Sequence, residues 1–260
     1  MSRSDFPAVT QDAFHRGKFH LIQPAAKAHR AGVDAMLLAA AAPDGFDGAV
    51  ADLGAGAGAA GLAVLSRCAE ARAALVERDA LMAECARRTL QLPGNEAFRD
   101  RVEVIEADVM ASGRIRLEQG LEDNRFDLVI MNPPFNHGHD RATPHETRRL
   151  AHVMVEGMFE AWVRTAAAIS RSDGMIVVIA RPESLSDILA ALDRRFGCAD
   201  ILPVHPREAA AAIRVIIRAR KGARGPLSIL PPLVLHGAER EFTTRANRLI
   251  NGEVALFADR

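Results

Sequence analysis

The chain has 260 residues, 49% of them hydrophobic and 25% charged, with 33 basic side chains against 33 acidic ones. This is the makeup of one soluble α/β domain spanning residues 1–260, with room for a small appendage and nothing larger. No apolar run approaches the ~20 residues a membrane helix needs; no secretory apolar core follows Met1; and Cys68, Cys85 and Cys198 form neither a metal pattern nor an even disulfide set. A cytoplasmic protein is the expectation.

Residues 5–32 are polar with interspersed aromatics and histidines, and predict a loop or short hairpin. Residues 1–45 are expected to form an N-terminal segment that covers the site. Asp34 to Ala42 predicts a helix, stopped by Pro43-Asp44-Gly45. Strand and helix patterns then alternate. Strands are predicted at 49–53, 73–77, 102–106, 127–131, 174–180, 198–203 and 211–219, and helices at 59–70, 79–91, 147–169 and 183–194. Residues 111–125 and 136–146 read as loops. Such alternation implies a doubly wound α/β fold: a mainly parallel seven-stranded sheet with helices on both faces. Met175 to Ala180 is continuously apolar, as a central buried strand requires. The last strand differs. Ile213, Val215, Ile217 and Ala219 share one face, while Arg214, Ile216, Arg218 and Arg220 share the other. A basic face of this kind suits an antiparallel or edge-region strand able to follow a phosphate backbone.

Two motifs carry chemistry. The first is Asp52-Leu53-Gly54-Ala55-Gly56-Ala57-Gly58, placed between an apolar strand and an alanine-rich helix. Strand, glycine turn and helix form the context in which a loop binds a nucleotide-like cofactor, because glycines admit the ligand close to the backbone. Asp52, two residues before the first glycine, is positioned to hold a ligand ammonium group, which separates this loop from a dinucleotide fingerprint. Glu77 ends the next strand and is positioned for ribose hydroxyls.

The second motif is Asn132-Pro133-Pro134-Phe135, at the end of the apolar strand Asp127–Met131. The Asn oxygen accepts from an –NH2 group, the prolines stiffen the loop, and the ring offers a stacking surface. Together they suit a flat, amino-bearing substrate. The competing reading of this stretch is an ordinary Pro-rich turn.

With both motifs present, the chain resembles class I S-adenosylmethionine (SAM)-dependent methyltransferases with an amino-methylating Asn-Pro-Pro-Tyr/Phe signature. More narrowly it resembles the bacterial tRNA(Val) adenine-N6 methyltransferase family, through Gln23-Pro24, His29 to Leu38, and the closing segments Leu233–His236 and Glu241–Thr244. The resemblance covers nearly the whole chain. It implies the Rossmann-like methyltransferase fold, SAM as cofactor, and methyl transfer to an exocyclic amino nitrogen, adenine N6 of tRNA before others. It also implies that Asp108 accepts from the cofactor adenine with Val109 beside the ring, and that His29, Gly32 and Asp34 help close the pocket. Many members carry Tyr at the position of Phe135, and this chain has no Tyr.

Alternatives are methylation of a protein glutamine amide or of guanine N2, a small-molecule O-methyltransferase, and a non-catalytic SAM- or RNA-binding protein. RNA is the expected partner. Arg3, Arg16, Lys18, Lys27 and Arg30 near one end, and Arg207 to Arg224 near the other, surround an acidic centre. His137, His139, His145 and His152 lack the carboxylate or Cys partners of a metal site and read as loop histidines. Asp79 reads as a helix cap. Met158, Phe159 and Trp162 read, with Val155, as a core stripe.

Overall fold

The computed structural model describes residues 6–25, 31–134 and 157–257. Strands β1 (Val9–Phe14) and β2 (Phe19–Pro24) pair antiparallel into a hairpin. Helix α1 (Val33–Ala39) leads to the alternating core: β3 (Ala49–Leu53), α2 (Ala59–Arg67), β4 (Arg72–Glu77), α3 (Ala80–Leu90), β5 (Val102–Glu106), α4 (Gly113–Glu118) and β6 (Phe126–Met131). The described chain continues to Pro134 and resumes at Gly157, which is followed by α5 (Met158–Ile169), β7 (Ser170–Ala180), α6 (Leu185–Leu192), β8 (Phe196–His205) and β9 (Arg214–Lys221). The chain closes with two short strands, β10 (Ser228–Ile229) and β11 (Leu233–Val234), and α7 (Thr244–Ile250).

The strand order is β10-β8-β9-β7-β6-β3-β4-β5, with β11 also on β8. The seven expected strands are all present, and β10 and β11 raise the count to nine. β3, β4, β5, β6 and β7 run parallel, and β9 is antiparallel to both β7 and β8. The apolar strands are explained by cover on both faces. Val50, Leu128, Ile130, Val177 and Ile179 pack with α1 and α2, while Ala51, Val129, Met131, Ile176 and Val178 pack with α5 and α6. Each fully buried side chain of this size contributes about 1.5–3 kcal/mol.

Local chemistry fixes the helix ends. Asp79 caps α3, accepting from the amides of Leu81 and Met82 at 2.8 and 3.1 Å, as its position suggested. Arg67 donates to the carbonyls of Ala39 and Ala42, both at 3.1 Å, and so satisfies the end of α1. Residues 111–125, expected as a loop, contain α4. Its Ile115 and Leu117 are exposed and its buried side chain is Arg116, so no apolar stripe marks it. Helix α7 also lacks a long stripe and begins at a Thr243 cap.

The closing segment that carried part of the resemblance is architectural. Leu233 and Val234 pair with β8, the rings of His236 and Phe242 stack at 4.7 Å, and the Thr243 hydroxyl donates to the Val234 carbonyl.

Candidate functional site

Register places the candidate residues in one row. Leu53 pairs with Met131 on one side and with Val76 on the other, and Glu77 pairs with Glu106. The residues that follow these strand ends are therefore neighbours at the carboxyl edge of the sheet, in the order Asn132, Gly54, Glu77, then Ala107 and Asp108. Three interstrand spacings separate the ends of the row, about 15 Å. β3 is also where strand order reverses, with β4 on one side and β6 on the other. Such a switch point opens a crevice between loops that leave in opposite directions.

The glycine loop is shaped by contacts from below. Gly54 has φ +72°, and a Cβ there would stand 2.7 Å from the indole of Trp162. The core role expected for Trp162 holds, and it includes flooring this turn. Gly56, at φ +57°, has only the Met82 methyl within reach of a Cβ, at 3.5 Å, so this part of the backbone faces open space. Gly58 is the residue before α2, whose first amides point toward the loop.

Glu77 is held by two backbone amides. One carboxylate oxygen accepts from Gly56 and the other from Asp79, both at 2.8 Å. A carboxylate has about four acceptor positions, so two remain for a ligand. Asp108 forms a tight turn in which Oδ1 accepts from the Met110 amide at 2.8 Å, while Arg78 lies 3.9 Å from Oδ2. The Asp108 side chain is 44% exposed and free to take a further donor. Val109 is buried beside it.

Asp52 is tied into the fold itself. It is 3% exposed, and its Oδ2 accepts from the Gly61 amide at 2.9 Å. Burial pushes its carboxyl up to about 7; the Gly61 amide opposes this and the Glu77 charge adds to it. Oδ2 thus fastens the glycine loop to the start of α2, and no bond occupies Oδ1 among the described residues.

Asn132 supplies the most telling atom of the site: Oδ1 is buried and has no hydrogen-bond partner among the described residues. Buried acceptors are almost always paired, and an unpaired one at a crevice leaves a position that a ligand donor can fill. Pro133 and Pro134 follow it outside any helix or strand. Phe135 lies outside the described residues, as do Arg3, Lys27, His29, Arg30, His137, His139, His145, His152 and Val155.

The basic face of β9 is reassigned. Arg214 pairs with Asp34 at 2.8 Å, and Arg218 pairs with Asp200 at 2.6 Å while lying over the Phe257 ring at 4.0 Å. Arg220 donates to the Asp173 carbonyl. Because β9 runs antiparallel between two strands, only Arg214 reaches the carboxyl edge; Arg220 lies at the far edge, opposite Met175. The stripe crosses the sheet instead of lining the site, and two of its three arginines are paired with carboxylates. Alternation alone does not show that acidic partners wait on α1 and β8.

Sequence reasoning missed two ties at the rim. Gln23, 1% exposed, accepts from the Ala31 amide at 2.7 Å and donates to Asp12, and the Arg214–Asp34 pair binds the first turn of α1 to β9. A separate cleft of about 280 Å³ opens at the opposite edge of the sheet, among Ala49, Arg72, Arg101, Arg125 and Arg171. Its arginines are bonded to backbone carbonyls or to Glu103 and Asp127. Among the described residues no cluster of His, Cys, Asp and Glu has the makeup of a metal site, and no helix is long and apolar enough to cross a membrane.

The described geometry fits SAM: an open glycine cradle, a part-exposed carboxylate at each of two strand ends, and an orphaned acceptor. Comparison with known proteins agrees. The family model described as the methyltransferase small domain matches residues 29–202. The chain is 30% identical over 165 residues to a tRNA1(Val) (adenine(37)-N6)-methyltransferase of Porphyromonas gingivalis strain ATCC BAA-308 / W83, covering 62% of each protein. The counterpart in strain ATCC 33277 is 29% identical over 68% of each. The chain thus spans less than two thirds of the length of the first relative. A solved structure from Agrobacterium tumefaciens, described as a predicted O-methyltransferase, is 43% identical, with a TM-score of 0.75 over 85% of this chain and 97% of that one. A SAM-dependent O-methyltransferase from Thermotoga maritima shares the fold, at 14% identity and a TM-score of 0.51 over 76% of this chain and 68% of that one.

Proposed function

Because the chain belongs to the methyltransferase small domain family and is a class I SAM-dependent methyltransferase, we propose that it methylates an exocyclic amino nitrogen of a nucleic-acid base, adenine N6 of tRNA. The observation that carries this reading is the buried, unpartnered Oδ1 of Asn132 at the switch point of the sheet.

SAM, when bound, supplies a methyl group on a sulfonium that needs no further activation. The glycine loop and Glu77 hold its amino-acid and ribose portions, Asp108 and Val109 its adenine, and Asp52 keeps the loop in place. Asn132 Oδ1 accepts one amino hydrogen of the target base, and the Pro133 carbonyl is assigned the other. Two acceptors on one nitrogen turn its lone pair toward the methyl group, so rate comes from alignment rather than from a strong base. Phe135 is assigned the stacking surface for a base drawn out of its helix. Residues 1–45 are assigned to cover the site, with the ties at Gln23 and Asp34 holding that segment to the domain.

The tRNA substrate rests on the names of the Porphyromonas relatives. The description of the Agrobacterium structure favours a second reading, methylation of a hydroxyl. A lone hydroxyl donor satisfies one acceptor, whereas the assigned clamp has two. The deciding experiment is transfer of a deuterated methyl group from SAM to total tRNA, followed by nucleoside mass spectrometry. Labelled N6-methyladenosine supports the proposal. Labelled O-methyl nucleosides support the second reading, and no label in RNA removes the tRNA substrate.

A further inference from the structure

Helix α5 touches the row at two places. Trp162, 8% exposed, floors Gly54. Almost one turn later Thr165, 3% exposed, donates from Oγ1 to the Val109 carbonyl at 2.7 Å. Gly54 follows β3 and Val109 follows β5, so one helix supports both the glycine loop and the turn at the far end of the row.

The hydroxyl of Thr165 has an unusual allegiance. A helical Thr ordinarily returns its hydrogen bond to a carbonyl of the preceding turn. Here the bond leaves the helix for a loop. The peptide it holds joins Val109 to Met110, one residue past Asp108, whose own turn is closed by the Met110 amide on Oδ1 and by the Ala111 amide on the Asp108 carbonyl. Without the hydroxyl, the Val109 carbonyl is buried and unsatisfied. The turn relieves this by rotating, and Asp108 moves with it.

We propose that Thr165 is a positioning residue for the adenine end of the cofactor, acting through the Val109 carbonyl on the Asp108 carboxylate. The inference rests on the reading of the row as the SAM site. Calorimetry with two ligands tests both: S-adenosylhomocysteine, whose adenine carries an amino donor, and S-inosylhomocysteine, whose purine carries a carbonyl there. Thr165→Val keeps the shape and loses the donor, and Thr165→Ser keeps the donor. Thr165→Val should bind the adenosyl ligand about tenfold more weakly, one neutral hydrogen bond's effect, and the inosyl ligand as the wild type does. Thr165→Ser should stay within about twofold of wild type for both ligands. Equal weakening of both ligands by Thr165→Val would show a purely structural role, and no weakening would show an idle bond; either overturns the inference. A wild-type protein that does not prefer the adenosyl ligand overturns the placement of adenine at Asp108 itself, before any variant is compared.

Discussion

Replacing Asn132 with Ala should separate activity from stability in opposite directions. Among the described residues the buried Oδ1 lacks a partner, a defect that costs about 1–3 kcal/mol. Alanine removes the defect and gives up some side-chain packing. The fold should therefore be as stable as wild type or more stable, with a melting temperature raised by up to about 8 °C for a domain of this size. Methyl transfer should fall at least ~100-fold, because a contact that orients the nucleophile acts mainly in the transition state. Affinity for SAM should stay within about twofold, since the cradle is built by other strands. Single-turnover transfer to tRNA, calorimetry with SAM and a melting curve give the three readouts. A variant that melts more than about 4 °C lower yet transfers methyl groups at the wild-type rate would refute the reasoning, because Asn132 would then be a bonded turn residue.

Other expectations follow from neighbouring residues. Gly54→Ala combines left-handed strain with a clash on Trp162, about 2–5 kcal/mol in all, whereas Gly56→Ala meets only strain, about 1–2 kcal/mol, and loses SAM affinity instead; melting curves and calorimetry distinguish them. Asp52→Asn should show a pH-dependent gain in stability over wild type. The folded carboxyl titrates near 7 and the unfolded one near 4, so the wild type loses stability as pH rises across that window, by at most about 4 kcal/mol, and the difference is flat above it; urea unfolding at several pH values measures this. Arg218→Ser should destabilise by about 2–3 kcal/mol, because Asp200 is left in a mostly buried place, while exposed Arg220→Ser should cost under about 0.5 kcal/mol; equal melting temperatures would return Arg218 to the pool of available surface charges.

Most of the fold was legible because its signals are periodic or punctuated. Continuous apolar runs such as Met175–Ala180 mark strands covered on both faces, and Asp79 and Pro43 mark helix boundaries. The positions of Glu77 and Asn132 at strand ends were legible because strand ends in a parallel sheet converge on one edge. What escaped depends on distant partners. The bond from the Gly61 amide to Asp52 has no local sign in the sequence, and Arg214 and Arg218 read as a phosphate path until Asp34 and Asp200 appear beside them. Thr165 sits 56 residues from Val109, a separation that no local pattern encodes.

The insertion of β9 between β7 and β8 has a consequence for how the protein assembles. The chain completes β8 before it makes the strand that belongs between β8 and the rest of the sheet. The elements β3 to β5, by contrast, are neighbours in sequence and in space, so that half closes with short loops and can condense early. Until β9 arrives, β7 has an open edge and β8 has nowhere to dock. Its arrival welds both at once and brings Arg214 to Asp34, so this half of the sheet becomes continuous only after most of the chain is in place.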